Sequence, residues 1–346
     1  MIKVSELKIK IPSIYILLFL IFSNNLVSEK LRAQTDPGIP TDILIKTIGY
    51  VEAQNKSLDL IASNYSELKP EVQRVRLAFS SNYGKGYNAL KKDVYSKLSK
   101  AIPKFKDSLN NLLDQRLGGL VFTKDQAKSF IDTVGSRASG KLSNPYKQIL
   151  LAYKYRLEPH MELRDGFAKR YCYDLSGQDV SFCISIPESW VEKKALRPNI
   201  IAKYFRGSGY GADQFIIQGL SLPSEQTDGG YSEDEIAEAF KRPEVMREYL
   251  PEDAVLIRTS TIKIDGQLGV YAEYKLLRQK LKHEFEIKMS SYFIFYSSYL
   301  ISFTGFIAAV ENIPEIDTAG LDKRHDRLKS LFDLIANSVV FPQKWE

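Results

Sequence analysis

Residues 180–190 read Val-Ser-Phe-Cys-Ile-Ser-Ile-Pro-Glu-Ser-Trp and mark a change in the hydrophobic pattern of the chain. In this stretch the bulky apolar residues Phe182, Ile184 and Ile186 alternate with serines and a cysteine, until Pro187 interrupts the pattern. Strict alternation with a period of two is typical of a strand with one buried face. The segment therefore predicts the opening strand of a β-rich region that continues toward the C-terminus.

The residues after this strand keep the period of two. We predict further strands over 199–205, 214–222, 254–264, 268–277, 282–296 and 299–308. Only two helices interrupt them: the capping box at 232–235 opens the first, and Asp317 or Thr318 starts the second. The second helix carries an apolar stripe of Leu321, Leu328, Leu331, Phe332 and Ile335. Strands joined by short turns and few helices favour an antiparallel sheet covered by helices, an α+β fold.

Upstream of this region the apolar residues recur every three or four positions, which is the period of helices. The longest regular run extends over 72–102, and Gly84 and Gly86 inside it are expected to kink or split the helix. The run comprises Val72, Val75, Phe79, Tyr83, Tyr87, Leu90, Val94, Leu98 and Ile102. This half of the chain is predicted to be all-α.

Capping signals divide the helical half into segments. Thr41 or Asp42 is expected to cap the first helix, and Thr123 with Gln126 forms a capping box because each side chain can satisfy the other's backbone N–H. Pro145 opens the last helix. These signals predict an N-terminal bundle of roughly five helices. We place the helical domain at 34–165 and the α+β domain at 171–346.

The stretch Val180–Trp190 resembles the strand-Pro-x-x-Trp signature that opens PsbP-like domains. The later order is similar as well: a central helix, a strand ending Ile262–Gly266, long hairpins, a C-terminal helix and the segment Asn337–Phe341. The resemblance covers about 178–342. It implies a PsbP-like α+β fold and, because such domains are mostly non-catalytic, a binding or assembly role. It assigns no ligand or metal residue to this chain.

The N-terminus has the layout of a secretory signal. Lys3, Lys8 and Lys10 precede nine uninterrupted apolar residues, Ile14–Phe22, a run too short for a comfortable membrane span. We predict a signal peptide over 1–33 and a mature chain beginning near Gln34, exported to the periplasm or the extracellular space. The alternative is an uncleaved N-terminal membrane anchor. No other apolar run is long enough to span a bilayer.

Charge is divided unevenly between the two halves. The net charge is +7 over 34–165 and −4 over 166–346. The positive charge is concentrated at Lys91, Lys92, Lys97, Lys100, Lys104 and Lys106. An anionic envelope surface or an acidic partner is one interpretation, and an ordinary solvated helix face is the other. No base-reading motif accompanies these lysines, so nucleic acid is not expected as a partner.

The motifs that suggest chemistry each have a simpler interpretation. Glycines at 207, 209 and 211 lie between two predicted strands and fit a hairpin loop better than a phosphate loop. In 283–286 the histidine and the glutamates point to opposite faces of a strand, so no metal site is expected. His325 lies in a charge run that predicts the wet side of a helix, and His160 lies in a polar linker. No cofactor, metal or catalytic residue is assigned.

The chain has two cysteines, Cys172 and Cys183, on either side of a turn-prone segment. An exported protein meets an oxidising environment, so we expect a disulfide between them, with two unpaired thiols as the alternative.

These patterns predict an exported cell-envelope protein that acts as a non-catalytic binding or assembly module toward an envelope protein or an anionic surface. The alternative is an envelope enzyme with its site on the concave face of the C-terminal sheet, around Tyr204, Tyr271 and Tyr292. A pocket with converging polar groups and shifted pKa values would favour the enzyme, and a flat or apolar groove would favour the binding module.

Overall fold

A computed structural model gives the fold as two compact units, residues 40–143 and 144–346. The structure describes residues 39–98, 102–117, 119, 121–175, 180–195, 197, 199–207, 209, 213–221, 242–280, 283–296, 299–310 and 320–345. The expected signal peptide, 1–33, lies outside these ranges. Within them, no helix combines the length and apolar character that crossing a membrane requires. The first unit ends at Ser143, and the two helices that follow belong to the second unit.

The first unit is a helical bundle, as the periodicity predicts. Its helices are α1 (Thr41–Asn64), α2 (Lys69–Phe79), α3 (Lys85–Leu98), α4 (Ile102–Leu117) and α5 (Lys124–Ser136). Helix α1 packs against α2, α3 and α4, and α2 packs against α5. One apolar cluster of the bundle joins Leu58, Ile61, Leu68, Val72, Val75, Phe122, Phe130, Ile131 and Val134.

The helix boundaries test the capping signals. Thr123 and Gln126 form the predicted capping box, with reciprocal bonds of 3.3 and 2.9 Å. The prediction for α1 is wrong: Pro40 precedes the first helical residue and no side chain caps the helix, because Thr41 already belongs to its first turn. The expected disturbance at Gly84 is a π-helical turn, Ser80–Gly84, between α2 and α3.

The second unit begins with α6 (Tyr146–Lys154) and α7 (Met161–Arg164). Its strands are β1 (Ala168–Leu175), β2 (Val180–Pro187), β3 (Val191–Lys193), β4 (Ile200–Phe205), β5 (Gln214–Ser221), β6 (Val255–Ile264), β7 (Gln267–Lys280), β8 (His283–Tyr296) and β9 (Tyr299–Val310). Two further helices are α8 (Pro243–Tyr249) and α9 (Leu321–Asn337). The expected capping box at 232–235 and the residues before Gly320 lie outside the described ranges.

Seven of these strands form one antiparallel sheet in the order β3-β4-β5-β9-β8-β7-β6, and β1 with β2 forms a separate hairpin. Strands β1 and β3 were not predicted. In β1 only Leu175 is fully buried, and β3 is three residues long. The predicted β2 is present in the hairpin. The six strands predicted between 199 and 308 are all present in the large sheet, within a few residues of their expected bounds.

Helices cover both faces of the sheet, which confirms the α+β class. Helix α9 and β2 bury one face, where Phe332 packs with its neighbours Phe215 and Trp190 at ring distances of 5.9 and 6.3 Å. Gly305 on β9 lies directly beneath the Phe332 ring, and a Cβ there would be 2.2 Å from it. The other face packs against Met246 of α8. The apolar stripe predicted for α9 is therefore the side that meets the sheet.

Candidate functional site

The interface between α9 and the sheet has a polar half beside its apolar core. On α9 the side chains of Asp322, His325, Lys329 and Asp333 follow one another at steps of three and four residues, which places them on one side of the helix. Alternate residues of the facing strands are polar at the same level: Tyr271 and Glu273 on β7, and Lys288, Ser290 and Tyr292 on β8.

Glu273 is the centre of this polar half and is only 4% exposed. Its carboxylate accepts hydrogen bonds from Lys288 Nζ at 3.0 Å, Arg258 Nε at 2.7 Å and the Tyr271 hydroxyl at 3.0 Å. Burial by itself raises the pKa of Glu273, but the bonds from Lys288 and Tyr271 outweigh it and leave the pKa below the usual range. Glu273 therefore stays ionised at neutral pH, as a buried charge that these donors satisfy.

His325 corrects the sequence-based expectation of a solvated face. Its side chain is fully buried, and Nε2 lies 2.8 Å from the hydroxyl of Ser290. Burial and the nearby Lys288 ammonium lower the pKa of His325, so the imidazole is neutral at pH 7. Nδ1 lies 3.8 Å from Glu273 and makes no hydrogen bond within the described residues. The charged residues on either side of His325 in the sequence give no sign that its side chain points into the protein.

A cavity of about 390 Å³ opens beside this cluster, between β6 and α9. Its walls include Arg258 and Ser260 of β6, Tyr271 of β7, Tyr292 of β8, and Lys329 and Asp333 of α9. The two tyrosine rings lie 5.2 Å apart at their centroids. Two of the candidate tyrosines, Tyr271 and Tyr292, thus line a pocket on which polar groups converge.

The acids and phenols of the cavity are held in hydrogen bonds. Tyr292 donates to Asp333 at 2.5 Å, and Lys329 donates to the two oxygens of the same carboxylate at 2.7 and 2.9 Å. Burial raises the pKa of Tyr271 to about 12, and burial together with the Asp333 charge raises the pKa of Tyr292. Both phenols are therefore neutral donors at physiological pH and are poorly suited to act as bases or nucleophiles.

The third candidate tyrosine is elsewhere. Tyr204 lies on β4 and hydrogen-bonds to Tyr173 of β1, and its ring meets that of Tyr171 at 5.1 Å. Burial raises the pKa of Tyr204 too, so its hydroxyl stays protonated. That hydroxyl serves the contact between β1 and β4. The structure brings Tyr271 and Tyr292 together and separates Tyr204 from them.

The two cysteines form the expected disulfide. Cys172 on β1 and Cys183 on β2 are directly opposite in the hairpin register, with Sγ–Sγ 2.00 Å and Cα–Cα 4.0 Å. The backbone of Cys183 also exchanges two 2.9 Å hydrogen bonds with Val340. The disulfide therefore links the two strands of the hairpin. The second strand is also hydrogen-bonded to the segment that follows α9.

The lysine group is divided between two helices of the first unit. Lys91 pairs with Glu52 at 2.6 Å and Lys97 pairs with Asp93 at 3.2 Å, so two of the charges of α3 are compensated. Lys92 on α3 and Lys104 and Lys106 on α4 are exposed, and Lys106 lies over the Tyr95 ring at 5.0 Å. Lys100 lies outside the described residues. The structure leaves the choice between an anionic partner and a solvated face to experiment.

The other motifs take their simpler interpretation where they are described. Gly207 begins the turn that joins β4 to β5, and the flanking Arg206 pairs with Asp213 at 3.5 Å. The side chain of His283 is outside the described set, and His160 lies in a turn before α7. In the part of the chain that the structure describes, no cluster of three metal-ligating side chains occurs.

A buried acid escaped the sequence analysis altogether. Glu162 on α7 is 2% exposed and accepts hydrogen bonds from the backbone N–H and the hydroxyl of Ser189, at 2.7 and 2.6 Å. Burial raises the pKa of Glu162 to about 7. Its only sequence signal is a position in a linker of mixed polarity, which does not distinguish it from exposed glutamates.

Comparison with known proteins concerns about half of the chain. No family model and no curated relative matches it. The solution structure of the cyanobacterial PsbP of Synechocystis sp. PCC 6803 is similar, with 19% identity over 51% of this chain and 94% of that one, at a TM-score of 0.31. LpqN of Mycobacterium tuberculosis, involved in cell envelope biogenesis, is 10% identical over 51% and 93% of the two chains, at a TM-score of 0.29. The Ran-binding protein Mog1p of Saccharomyces cerevisiae is 8% identical over 50% and 95%, at 0.32. A PsbP protein is thus among the structures similar to this chain.

Proposed function

We propose that this protein is an exported cell-envelope protein whose second unit is a non-catalytic binding module, with the cavity between β6 and α9 as its binding site. Export is supported by the basic and then apolar sequence of the first 22 residues. The Cys172–Cys183 disulfide fits an oxidising compartment.

A cavity on which polar groups converge would by itself favour the enzyme, so the binding role depends on the state of the groups that line it. Its volume, about 390 Å³, lies in the range of small-molecule sites, and polar groups from three strands and a helix converge on it. The groups that could transfer protons are already engaged: Asp333 is held by Lys329 and Tyr292, and the pKa of Tyr271 is about 12. A carboxylate and phenols that are held in hydrogen bonds in this way favour recognition over acid–base catalysis.

The test uses the full chain expressed with its own N-terminus and recovered from the envelope fraction. The protein is incubated with small molecules extracted from envelopes, washed, and analysed by native mass spectrometry. Ser260→Trp is designed to fill the cavity from β6, whereas Thr261→Trp adds the same ring on a neighbouring exposed residue that does not line it.

We expect a retained compound with the wild type and Thr261→Trp, and none with Ser260→Trp. Equal retention by both variants would contradict the cavity as the site, and recovery of the protein in the cytosol would contradict export. A compound released with a changed mass would support the alternative, an envelope enzyme.

A further inference from the structure

We propose that the cavity binds its ligand through an anionic group, a carboxylate or a phosphate, held between Arg258 and Lys329. This assignment rests on the proposed function, because it names the chemistry recognised at the same cavity. It goes beyond the binding role by identifying the two side chains that select the ligand and the charge that they select.

The first support is the arrangement of the two cations. The Arg258 guanidinium carbon lies 5.4 Å from the centroid of the Tyr271 ring, and Lys329 Nζ lies 4.9 Å from the same centroid. Both charges therefore lie close to the Tyr271 ring, and an anion bound beside that ring would be attracted by both. The basic side chains in the cavity wall, Arg258, Lys263 and Lys329, outnumber its one acid, Asp333.

The second support is that both cations are positioned in advance. Arg258 donates through Nε to Glu273 at 2.7 Å, and Lys329 donates to Asp333 at 2.7 Å. The bond through Nε orients the guanidinium, which also interacts with the Tyr271 hydroxyl and presents its terminal amino groups in a rigid fork. That fork matches the two oxygens of a carboxylate or a phosphate, and a preorganised donor loses less conformational entropy on binding.

The third support is that phenols and cations already hold two carboxylates here, Asp333 in the cavity wall and Glu273 beside it. Glu273 accepts from the phenol Tyr271 and the cations Arg258 and Lys288. Asp333 accepts from the phenol Tyr292 and the cation Lys329. The protein's own acids are thereby neutralised and repel an incoming anion weakly. The cations and phenols around the two carboxylates, rather than the carboxylates themselves, are therefore the groups that would contact the ligand.

The experiment measures binding of two probes, inorganic phosphate and succinate, to the full chain by isothermal titration calorimetry at low ionic strength. We expect at least one probe to bind saturably at a single site, and we expect its affinity to fall as sodium chloride is added. Which probe binds more tightly identifies the anion. Absence of binding by both probes would overturn the proposal.

Substitutions then locate the site. Arg258→Gln and Lys329→Gln are each expected to raise the Kd about tenfold to hundredfold, the loss of one charge-assisted hydrogen-bond donor. Arg258→Lys keeps the ion pair with Glu273 but loses the fork, so an intermediate Kd is expected with an unchanged melting temperature. Lys323→Gln removes an exposed charge from the same helix outside the cavity and is expected to leave the Kd unchanged.

Equal weakening by Lys323→Gln would overturn the proposal, because it would mean attraction to general surface charge. The outcome also separates the two proposals. If Ser260→Trp abolishes capture of the envelope compound while Arg258→Gln and Lys329→Gln retain it, the cavity remains the binding site and the anionic group is wrong. If Ser260→Trp has no effect, the proposed function itself fails.

Discussion

The interface between α9 and the sheet has an apolar half and a polar half, and each contains a fully buried side chain of α9. In the apolar half Phe332 is fully buried among aromatic and aliphatic side chains, and in the polar half His325 is equally buried among Glu273, Lys288 and Ser290. One helix covers both. Burial therefore does not require apolar residues at this interface, provided that the polar groups satisfy one another.

The two halves stabilise the fold through different physical terms. The apolar half contributes through the area it removes from water and through close packing, neither of which changes with pH. The polar half stabilises the fold only when each buried charge keeps its partners, because removing one partner leaves a buried charge without compensation. Substitutions that act on one half and then on the other can test this difference.

The largest effect is expected in the apolar half. Phe332→Ala removes a fully buried ring that packs over Gly305 and beside Trp190, and should lower the free energy of unfolding by about 3–5 kcal/mol. Urea unfolding measures it. Leu220→Ala, at a position that is 55% exposed on β5, is the control and should cost little. A loss below about 1 kcal/mol for Phe332→Ala would mean that the core is closed by other residues.

The polar half should respond to Lys288→Met by losing about 3 kcal/mol, because Glu273 keeps its charge and loses its buried ammonium partner. The double variant with Glu273→Gln should recover part of that loss, since the buried carboxylate that lost one of its two cationic partners is gone. Lys275→Met, at a half-exposed position, is the control. A double variant no more stable than the single one would contradict the view that the buried charge, rather than packing, is responsible.

Glu162 tests a third arrangement, a buried acid held by hydroxyl and backbone donors. Its folded-state pKa, about 7, lies above the ordinary value of 4.5, so its contribution to stability is complete below pH 4.5 and is lost as the pH rises through 7. The loss is at most ~3 kcal/mol, and Glu162→Gln should remove this pH dependence.

Urea unfolding between pH 4 and 8 checks this expectation. Glu188 and Arg206 also act on Glu162, so Glu158→Gln, at an exposed position of the same linker, serves as the control for a change of one charge. Parallel pH profiles for the wild type and Glu162→Gln would show that Glu162 does not titrate in this range.

The smallest effect is expected for vesicle binding by the lysines of α3 and α4, where lysines in ion pairs can be compared with lysines that have none among the described residues. Lys92, Lys104 and Lys106 are exposed and have no ion pair among the described residues, so changing all three to Gln should weaken flotation with anionic vesicles by up to ~1 kcal/mol for each lysine. Changing the paired Lys91 and Lys97 to Gln should have a smaller effect. Binding that is unchanged by either set, or insensitive to salt, would return these helices to the solvated-face interpretation.

The sequence by itself determined the elements whose local pattern matches their burial. Alternation located six strands of the large sheet and β2, the three- and four-residue steps located the bundle and the apolar side of α9, and Thr123 with Gln126 located a helix start. These signals are legible because each depends on residues within a few positions of one another.

Tertiary structure alone decided the polar half and the cavity. Tyr271 and Tyr292 could be named from the sequence, but Arg258, Glu273 and Lys329 could not. These side chains are far apart in the chain and meet only because the strand register and the docking of α9 bring them together. A polar residue carries no local mark of its burial, since burial depends on partners that the fold supplies. The same reason explains why His325 was placed in water and why Glu162 was overlooked.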